Sequence, residues 1–111
     1  METPLEGLRV VDLTSHLSGP YCSMLLGDLG ADVIKVERPG TGDESRGWPP
    51  TLSGESAPFM TLNRNKRSLT LDVKSEEGRR ILLRLLHTAD VLLENMKIGR
   101  ASCRERVYVL V

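Results

Sequence analysis

Short apolar runs alternate with polar turns in the first part of the chain, in the order of a strand, a helix and a second strand. Arg9–Leu13 is a short, β-branched run that predicts a strand, and Pro20–Leu29 has the apolar spacing of a helix. Gly30 can end this helix in the left-handed conformation, and Ala31–Glu37 then predicts the second strand. The segment therefore reads as one strand-helix-strand unit.

The details of this first helix follow from its residue types. Proline is tolerated in a first helical turn, and either Ser18 or Gly19 can serve as the cap in front of Pro20. Apolar residues recur at helical spacing and are expected to pack on the sheet: Tyr21, Met24, Leu25 and Leu29.

The same pattern repeats later in the chain. Ser68–Val73 predicts a strand, Ser75 is a capping hydroxyl for a following helix, and Ala89–Glu94 predicts a fourth strand. The apolar positions of this second helix are Ile81, Leu82, Leu85 and Leu86. Strands that alternate with helices favour a right-handed parallel sheet with helices on both faces, so the fold class is α/β.

The connection Gly40–Asn65 is rich in Gly, Pro, Ser, Thr and Asp and shows no hydrophobic periodicity. A structureless connection of this length is uncommon in a compact domain, so it is either functional or evidence against the assigned elements. Trp48 and Phe59 both fall within it, and we interpret them as local packing anchors.

Charged residues stand where the predicted strands begin or end. Arg38 follows the second strand, at the edge where open α/β sheets bind ligands, and is placed for an anion. Asn63–Ser68 holds three cations within four residues. This basic cluster fits either a phosphate-bearing small molecule or an ordinary exposed turn.

Composition limits the possible functions further. The 111 residues suffice for one domain, and the net charge of zero argues against nucleic-acid binding. No signal peptide, membrane span or disulfide framework is visible, which indicates a reducing cytoplasm and no membrane partner.

His16 and His87 are isolated and no metal-ligand spacing occurs, so we expect no metal site. Cys22 is interpreted as a buried, inert thiol.

Several strings, taken together and in order, resemble the family III coenzyme A transferases. This group includes formyl-CoA, carnitine and bile-acid CoA-transferases together with α-methylacyl-CoA racemase. The resemblance covers roughly residues 4–97 and is carried by Leu5–Thr14, Gly19–Pro20, Leu29–Pro39, Gly42–Asp43, Asn63–Ser68, Leu71–Lys74 and Ala89–Asn95.

The resemblance implies the amino-terminal part of a large Rossmann-like domain that binds CoA, from a parent protein that forms an interlocked homodimer. No cofactor would be bound permanently, because coenzyme A or acyl-CoA is itself the substrate. Carried over by position, the CoA contacts would be Leu17 and Ser18 beside the CoA, Arg38 at its nucleotide phosphate or adenine, Leu71, Asp72, Val73 and Lys74 along the adenosine side, and Asn95, Met96 and Lys97 near the pantetheine arm.

The implied activity is transfer of CoA between carboxylic acids through an aspartyl anhydride and an enzyme thioester. The nucleophilic aspartate of the family lies beyond the matched region, so the catalytic residue is missing here and we expect no turnover from these residues alone. Leu17 stands where formyl-CoA transferases carry glutamine, which disfavours formate or oxalate chemistry. The alternatives are a fragment of an α-methylacyl-CoA racemase and a non-catalytic module that binds CoA or another nucleotide.

The end of the chain departs from the resemblance. Residues 98–107 read Ile-Gly-Arg-Ala-Ser-Cys-Arg-Glu-Arg-Val and resemble the in-frame translation of a sequencing-library adapter. We therefore expect residues 1–97 to be the partial CoA-transferase domain and residues 98–111 to be a non-native tail, in which Cys103 carries no function. The alternative is a natural helix or edge strand, with Val107–Val111 completing the sheet.

Overall fold

A five-stranded sheet covered by helices on both faces forms the centre of the protein, for which the computed structural model describes residues 2–95 and 108–110. The strands of this sheet are β1 (Arg9–Asp12), β2 (Asp32–Glu37), β5 (Lys66–Thr70), β6 (Val91–Glu94) and β7 (Tyr108–Leu110), and they lie in the order β5-β2-β1-β6-β7. All neighbours pair in parallel except β7, which runs antiparallel to β6. The predicted α/β class with an open parallel sheet is confirmed.

The strand order places the ligand-binding edge of the sheet. Along the chain, β1, β2, β5 and β6 are the first to the fourth parallel strands. They lie side by side in the order 3-2-1-4, which is the order of the first four strands of a doubly wound dinucleotide-binding sheet. Helix α1 (Ser18–Asp28) connects β1 to β2, and α3 (Glu76–Leu86) connects β5 to β6. Because the strands are parallel, the segments that follow β1, β2, β5 and β6 all meet at one edge.

Each face of the sheet carries its own apolar cluster. Val10 faces α1, and Val11, the next residue, faces α3, because successive side chains of a strand point to opposite faces. The first cluster contains Val10, Ala31, Val33 and Leu93, with Cys22 and Leu26 packed against it. The second contains Val11, Val36 and Leu71, with Leu82, Leu85 and Leu86 packed against it. Both faces are therefore buried, as a parallel sheet requires.

The apolar face predicted for α1 is wrong in part. Met24 is buried, but Tyr21, Leu25 and Leu29 are 50%, 43% and 46% exposed. The helix begins at Ser18, two residues before Pro20, and its N-cap is Leu17, which makes no side-chain cap bond. Ser23 turns toward the sheet instead, since its hydroxyl donates to the buried Asp12 carboxylate at 2.5 Å.

The predicted end of the third parallel strand is also displaced. Strand β5 is Lys66–Thr70, so it begins two residues before the predicted Ser68 and ends three residues before the predicted Val73. The chain turns at Asp72, whose carbonyl oxygen accepts from the N–H of Ser75 at 3.2 Å. Ser75 caps α3 as predicted, accepting from the N–H of Gly78 at 2.9 Å. Of the apolar positions assigned to α3, Ile81 is 41% exposed and does not belong to the buried face.

The connection between β2 and β5 contains regular elements, so the element assignment made from hydrophobic periodicity was incomplete here. It contains a short 3₁₀ helix (Glu44–Gly47), the hairpin of β3 (Thr51–Leu52) and β4 (Glu55–Ser56), and α2 (Ala57–Leu62). Charge pairs attach it to the sheet, which hydrophobic periodicity cannot reveal. Phe59 lies under the Arg46 guanidinium at 4.0 Å, as expected of a packing anchor.

The described strand β7 corresponds to the alternative of an edge strand, while its native or non-native origin stays a prediction. None of the helices within residues 2–95 is long and apolar enough to cross a membrane.

Candidate functional site

A cavity of about 370 Å³ opens at the carboxyl edge of the sheet. Its walls are the segments that leave three neighbouring parallel strands, which is the expected position of a ligand site in an open α/β sheet. The lining residues are Leu13–His16 after β1, Lys35–Arg38 at the end of β2, Asp43 and Glu44 in the connection, and Leu71–Lys74 after β5.

Half of the residues predicted to contact CoA lie in this cavity. Arg38 stands at the end of β2, and Leu71, Asp72, Val73 and Lys74 form the opposite wall. Leu71 is buried within the second apolar cluster, whereas Asp72 and Lys74 are exposed. Cationic side chains from two different strands therefore face the same space, an arrangement suited to a phosphorylated ligand.

The other predicted contacts lie beside the cavity or outside the described residues. Leu17 and Ser18 follow directly on the lining residue His16 and are exposed. Asn95 is buried, and its side-chain amide bonds both backbone groups of Ser15. It accepts from the Ser15 N–H at 3.0 Å and donates to the Ser15 carbonyl oxygen at 2.8 Å. Asn95 thus positions the loop after β1. Met96 and Lys97 lie outside the residues that the structure describes.

His16 and Glu44 line the cavity but were not predicted as site residues. Glu44 Oε1 accepts from Arg38 Nη2 at 3.2 Å, and Glu44 Oε2 lies 2.8 Å from His16 Nε2. His16 is far from Glu44 in sequence, so no local pattern could reveal the contact. The backbone of His16 has a φ of 72°, and its ring lies 5.9 Å from the Trp48 ring.

Two of the residues that line the cavity, Lys35 and Asp43, form a fully buried ion pair. Lys35 Nζ is 2.9 Å from Asp43 Oδ2 and donates to the carbonyl oxygen of Thr14 at 3.0 Å. The side chains of Lys35 and Asp43 are only 2% and 1% exposed. Burial acts to raise the pKa of Asp43, but hydrogen bonds and charge from Lys35 and Ser45 outweigh it and lower that pKa. The pair fixes the connection to the sheet directly behind the cavity.

A second buried cation stands on the neighbouring strand. Lys66 Nζ lies 3.2 Å from Asp12 Oδ2 and donates to Asn63 Oδ1 at 2.7 Å. Burial lowers the pKa of Lys66 to about 8, although the Asp12 carboxylate opposes the shift. Burial and the same carboxylate raise the pKa of the Cys22 thiol, which fits its interpretation as an inert thiol.

Glu37, the last residue of β2, lines the cavity and accepts several hydrogen bonds. Its carboxylate accepts from Arg46 Nε at 2.7 Å, from Arg46 Nη2 at 2.8 Å and from the N–H of Asp43 at 3.0 Å, and it also bonds the Ser68 hydroxyl. The Arg46 guanidinium in particular lowers the pKa of Glu37 from 4.5 to about 2, against the opposing effect of burial.

Because the folded state lowers the pKa of Glu37, its ionised form stabilises the protein above about pH 4.5, and this contribution is lost as the pH falls toward 2. We expect the difference in free energy of unfolding between wild type and Glu37→Gln to shrink steadily across this window. Urea unfolding at a series of pH values measures it, with the exposed Glu6→Gln as matched control. A difference that stays constant from pH 7 to pH 2 would contradict the assignment.

The basic cluster Asn63–Ser68 is engaged in ion pairs and does not line the cavity. Arg64 pairs with Asp28 at 2.6 Å, Arg67 pairs with Asp32 at 2.7 Å, and Lys66 is buried against Asp12. Asp32 begins β2, so Arg67 lies at the opposite edge of the sheet. The interpretation of this turn as a phosphate site therefore finds no support in the geometry.

Comparison with known proteins places the chain among transferases. The profile described as CoA-transferase family III matches residues 5–105. Succinyl-CoA:glutarate CoA-transferase of Mus musculus is 51% identical over 100 residues, and formyl-CoA:oxalate CoA-transferase of Rhodopseudomonas palustris strain BisA53 is 50% identical over 100 residues. The two identities are nearly equal and do not choose between the substrates of these relatives.

Coverage is unequal between the chain and its relatives. The alignment takes in 89% of this chain but only 23% of the mouse protein and 24% of the Rhodopseudomonas protein. A crystal structure of a CAIB/BAIF family protein from Brucella suis superimposes with a TM-score of 0.80 at 49% identity, covering 87% of this chain and 27% of that one. The chain therefore spans about a quarter of the length of the proteins it matches.

Proposed function

Because this chain belongs to CoA-transferase family III, we propose that it forms the first part of the CoA-binding domain of an acyl-CoA:carboxylate CoA-transferase. The observation that carries the proposal is the cavity at the carboxyl edge of the sheet, with Arg38 and Lys74 on its walls. A multiply phosphorylated nucleotide is recognised best by such charge-assisted contacts. The substrates of the parent protein are an acyl-CoA and a carboxylic acid, and no cofactor is permanently bound.

The proposed reaction is a transfer of CoA between two carboxylic acids. An aspartate of the parent attacks the thioester carbonyl, and the resulting anhydride and enzyme thioester divide one difficult exchange into easier steps. Of the acidic residues that line the cavity, Glu37, Asp43 and Glu44 each pair with a cation. The fourth, Asp72, accepts a hydrogen bond from the backbone N–H of Lys74. These contacts support a nucleophile elsewhere in the parent and no turnover by the described residues alone.

The same proposal includes the cellular location and the oligomeric state of the parent protein. We infer a cytoplasmic homodimer in which further protein covers α1. The exposed Tyr21 and Leu25 of this helix and its exposed C-cap residue Leu29 support such a covering. Extending the reading frame in the source DNA tests the parent directly. A downstream domain that bears an acidic nucleophile and transfers CoA is the expected outcome, and a natural stop at Val111 would leave only a binding module.

Replacing Arg38 by alanine is expected to weaken CoA binding. A hydrogen bond to a charged group contributes about 1.5 to 3 kcal/mol, so the dissociation constant should rise about tenfold or more. Titration calorimetry of the full-length parent protein with CoA measures the change. Arg67→Ala is the matched control, because the Arg67 side chain is similarly exposed, at 66% against 58% for Arg38, but pairs with Asp32 at the far edge of the sheet. An unchanged constant for Arg38→Ala would remove Arg38 from the site.

A further inference from the structure

We propose that Glu44 acts as an internal competitor for the anion-binding position of the cavity. Its carboxylate occupies the place of a ligand's anionic group between Arg38 and His16, so a ligand must displace it to reach Arg38. The inference deepens the proposed function and rests on it, since the displacing group is the phosphate of an adenine nucleotide such as CoA.

The geometry is that of one carboxylate shared by two donors. One oxygen of Glu44 lies 3.2 Å from Arg38 Nη2, and the other lies 2.8 Å from His16 Nε2. These donors come from different walls, Arg38 from the end of β2 and His16 from the loop after β1, and all three residues line the cavity. Glu44 therefore bridges the space in which an anion would be bound.

Both donors are held in place independently of Glu44. Arg38 Nε donates to the carbonyl oxygen of Gly42 at 3.1 Å. His16 Nδ1 lies 3.1 Å from the Ser15 hydroxyl, and the His16 N–H donates to Asp43, which is itself buried. When Glu44 moves away, the two donors keep their position and can receive another anion.

Glu44 itself is attached weakly enough to be displaced. Its side chain is 56% exposed and that of Arg38 is 58% exposed, and ion pairs so open to water contribute little to stability. The His16 and then the Arg38 hydrogen bonds lower the pKa of Glu44, so the carboxylate is ionised in the free protein. A phosphate offers more charge and more acceptor oxygens than a carboxylate, and it can take over the Arg38 fork.

This competition affects anionic ligands only. A phosphate bound to Arg38 while Glu44 stayed in place would face a like charge at close range, which is unfavourable. An uncharged ligand such as adenosine cannot displace Glu44 and gains nothing from its removal. Glu44 thus lowers the affinity for an anion that binds at Arg38 and leaves the affinity for an uncharged ligand unchanged.

The variant Glu44→Gln tests the inference by calorimetric titration of the full-length parent protein with CoA and with adenosine. We expect the dissociation constant for CoA to fall about two- to fivefold, the range set by a weak exposed ion pair, and that for adenosine to stay unchanged. Glu6→Gln removes the same charge from an exposed turn before β1 and should affect neither ligand. Circular dichroism of each variant verifies that the fold is retained.

The outcomes separate this inference from the proposed function. If wild type binds CoA and Glu44→Gln binds it equally or more weakly, the role of Glu44 is refuted and the CoA site stands. A gain that adenosine shows equally, or that Glu6→Gln reproduces, also refutes it, because the effect would then not be local and electrostatic. If neither wild type nor Glu44→Gln binds CoA, the proposed function fails, and the inference fails with it.

Discussion

Replacing Lys35 by methionine is expected to lower the free energy of unfolding by about 3 to 5 kcal/mol, because breaking a buried ion pair leaves an uncompensated buried charge. Methionine keeps most of the volume of the lysine stem, so the loss is that of the ammonium group. Asp43 then loses its partner at 2.9 Å, and the carbonyl oxygen of Thr14 loses its donor at 3.0 Å. Urea or thermal unfolding measures the change.

Two further variants separate the buried charge from a general effect of losing a lysine. Lys35→Met combined with Asp43→Asn removes both charges and should recover part of the lost stability, since no unpaired ion remains. Lys74→Met, at an exposed position on the cavity wall, should change the free energy of unfolding by less than about 0.5 kcal/mol. Equal losses for Lys35→Met and Lys74→Met would show that the buried pair does not stabilise the protein.

Replacing Gly78 by alanine is expected to destabilise the protein by about 3 kcal/mol, the upper part of the range for overpacking. Elsewhere in a helix the same substitution usually stabilises, by roughly 0.5 to 1 kcal/mol. Here a Cβ would lie 1.7 Å from the carbonyl oxygen of Asp72, a backbone atom that cannot move aside freely. The turn that carries Asp72, Val73 and Lys74 along the cavity wall would have to shift.

Gly47→Ala is the matched control for this prediction, since a Cβ at Gly47 would meet no atom within 4 Å. Thermal unfolding of the two variants should give a large loss for Gly78→Ala and a small change for Gly47→Ala. Stabilisation by Gly78→Ala would contradict the close contact between α3 and the backbone of Asp72.

The sequence predicted the elements well where their signals are local. Ser75 was identified as a cap from its own hydroxyl, and Gly30 as a helix end from its conformational freedom, which its φ of 105° confirms. Arg38 was placed at the binding edge because the end of a parallel strand fixes that position. These predictions depend on neighbours along the chain and on the direction of the strands.

Predictions failed where a distant polar partner decides the structure. The buried face of α1 was assigned by apolar spacing, but the hydroxyl of Ser23 bonds Asp12, and this contact orients the helix. Hydrophobic periodicity assigned no elements to the connection after β2, but Asp43 and Arg46 attach it to Lys35 and Glu37. In both cases a buried charge requires a partner, and residues far apart in sequence supply it.

By itself, the sequence determined the α/β class and predicted the edge of the sheet at which the candidate site lies, because periodicity and turn residues act over a few neighbouring positions. The membership in CoA-transferase family III followed from the resemblance of its motif strings, taken together and in order. Only the tertiary structure decided that Glu44 lies between Arg38 and His16 and that Lys35 is buried against Asp43. Such contacts join segments that are far apart in sequence. The pairing of strands and the packing of helices bring these segments together, and no local sequence pattern predicts that proximity.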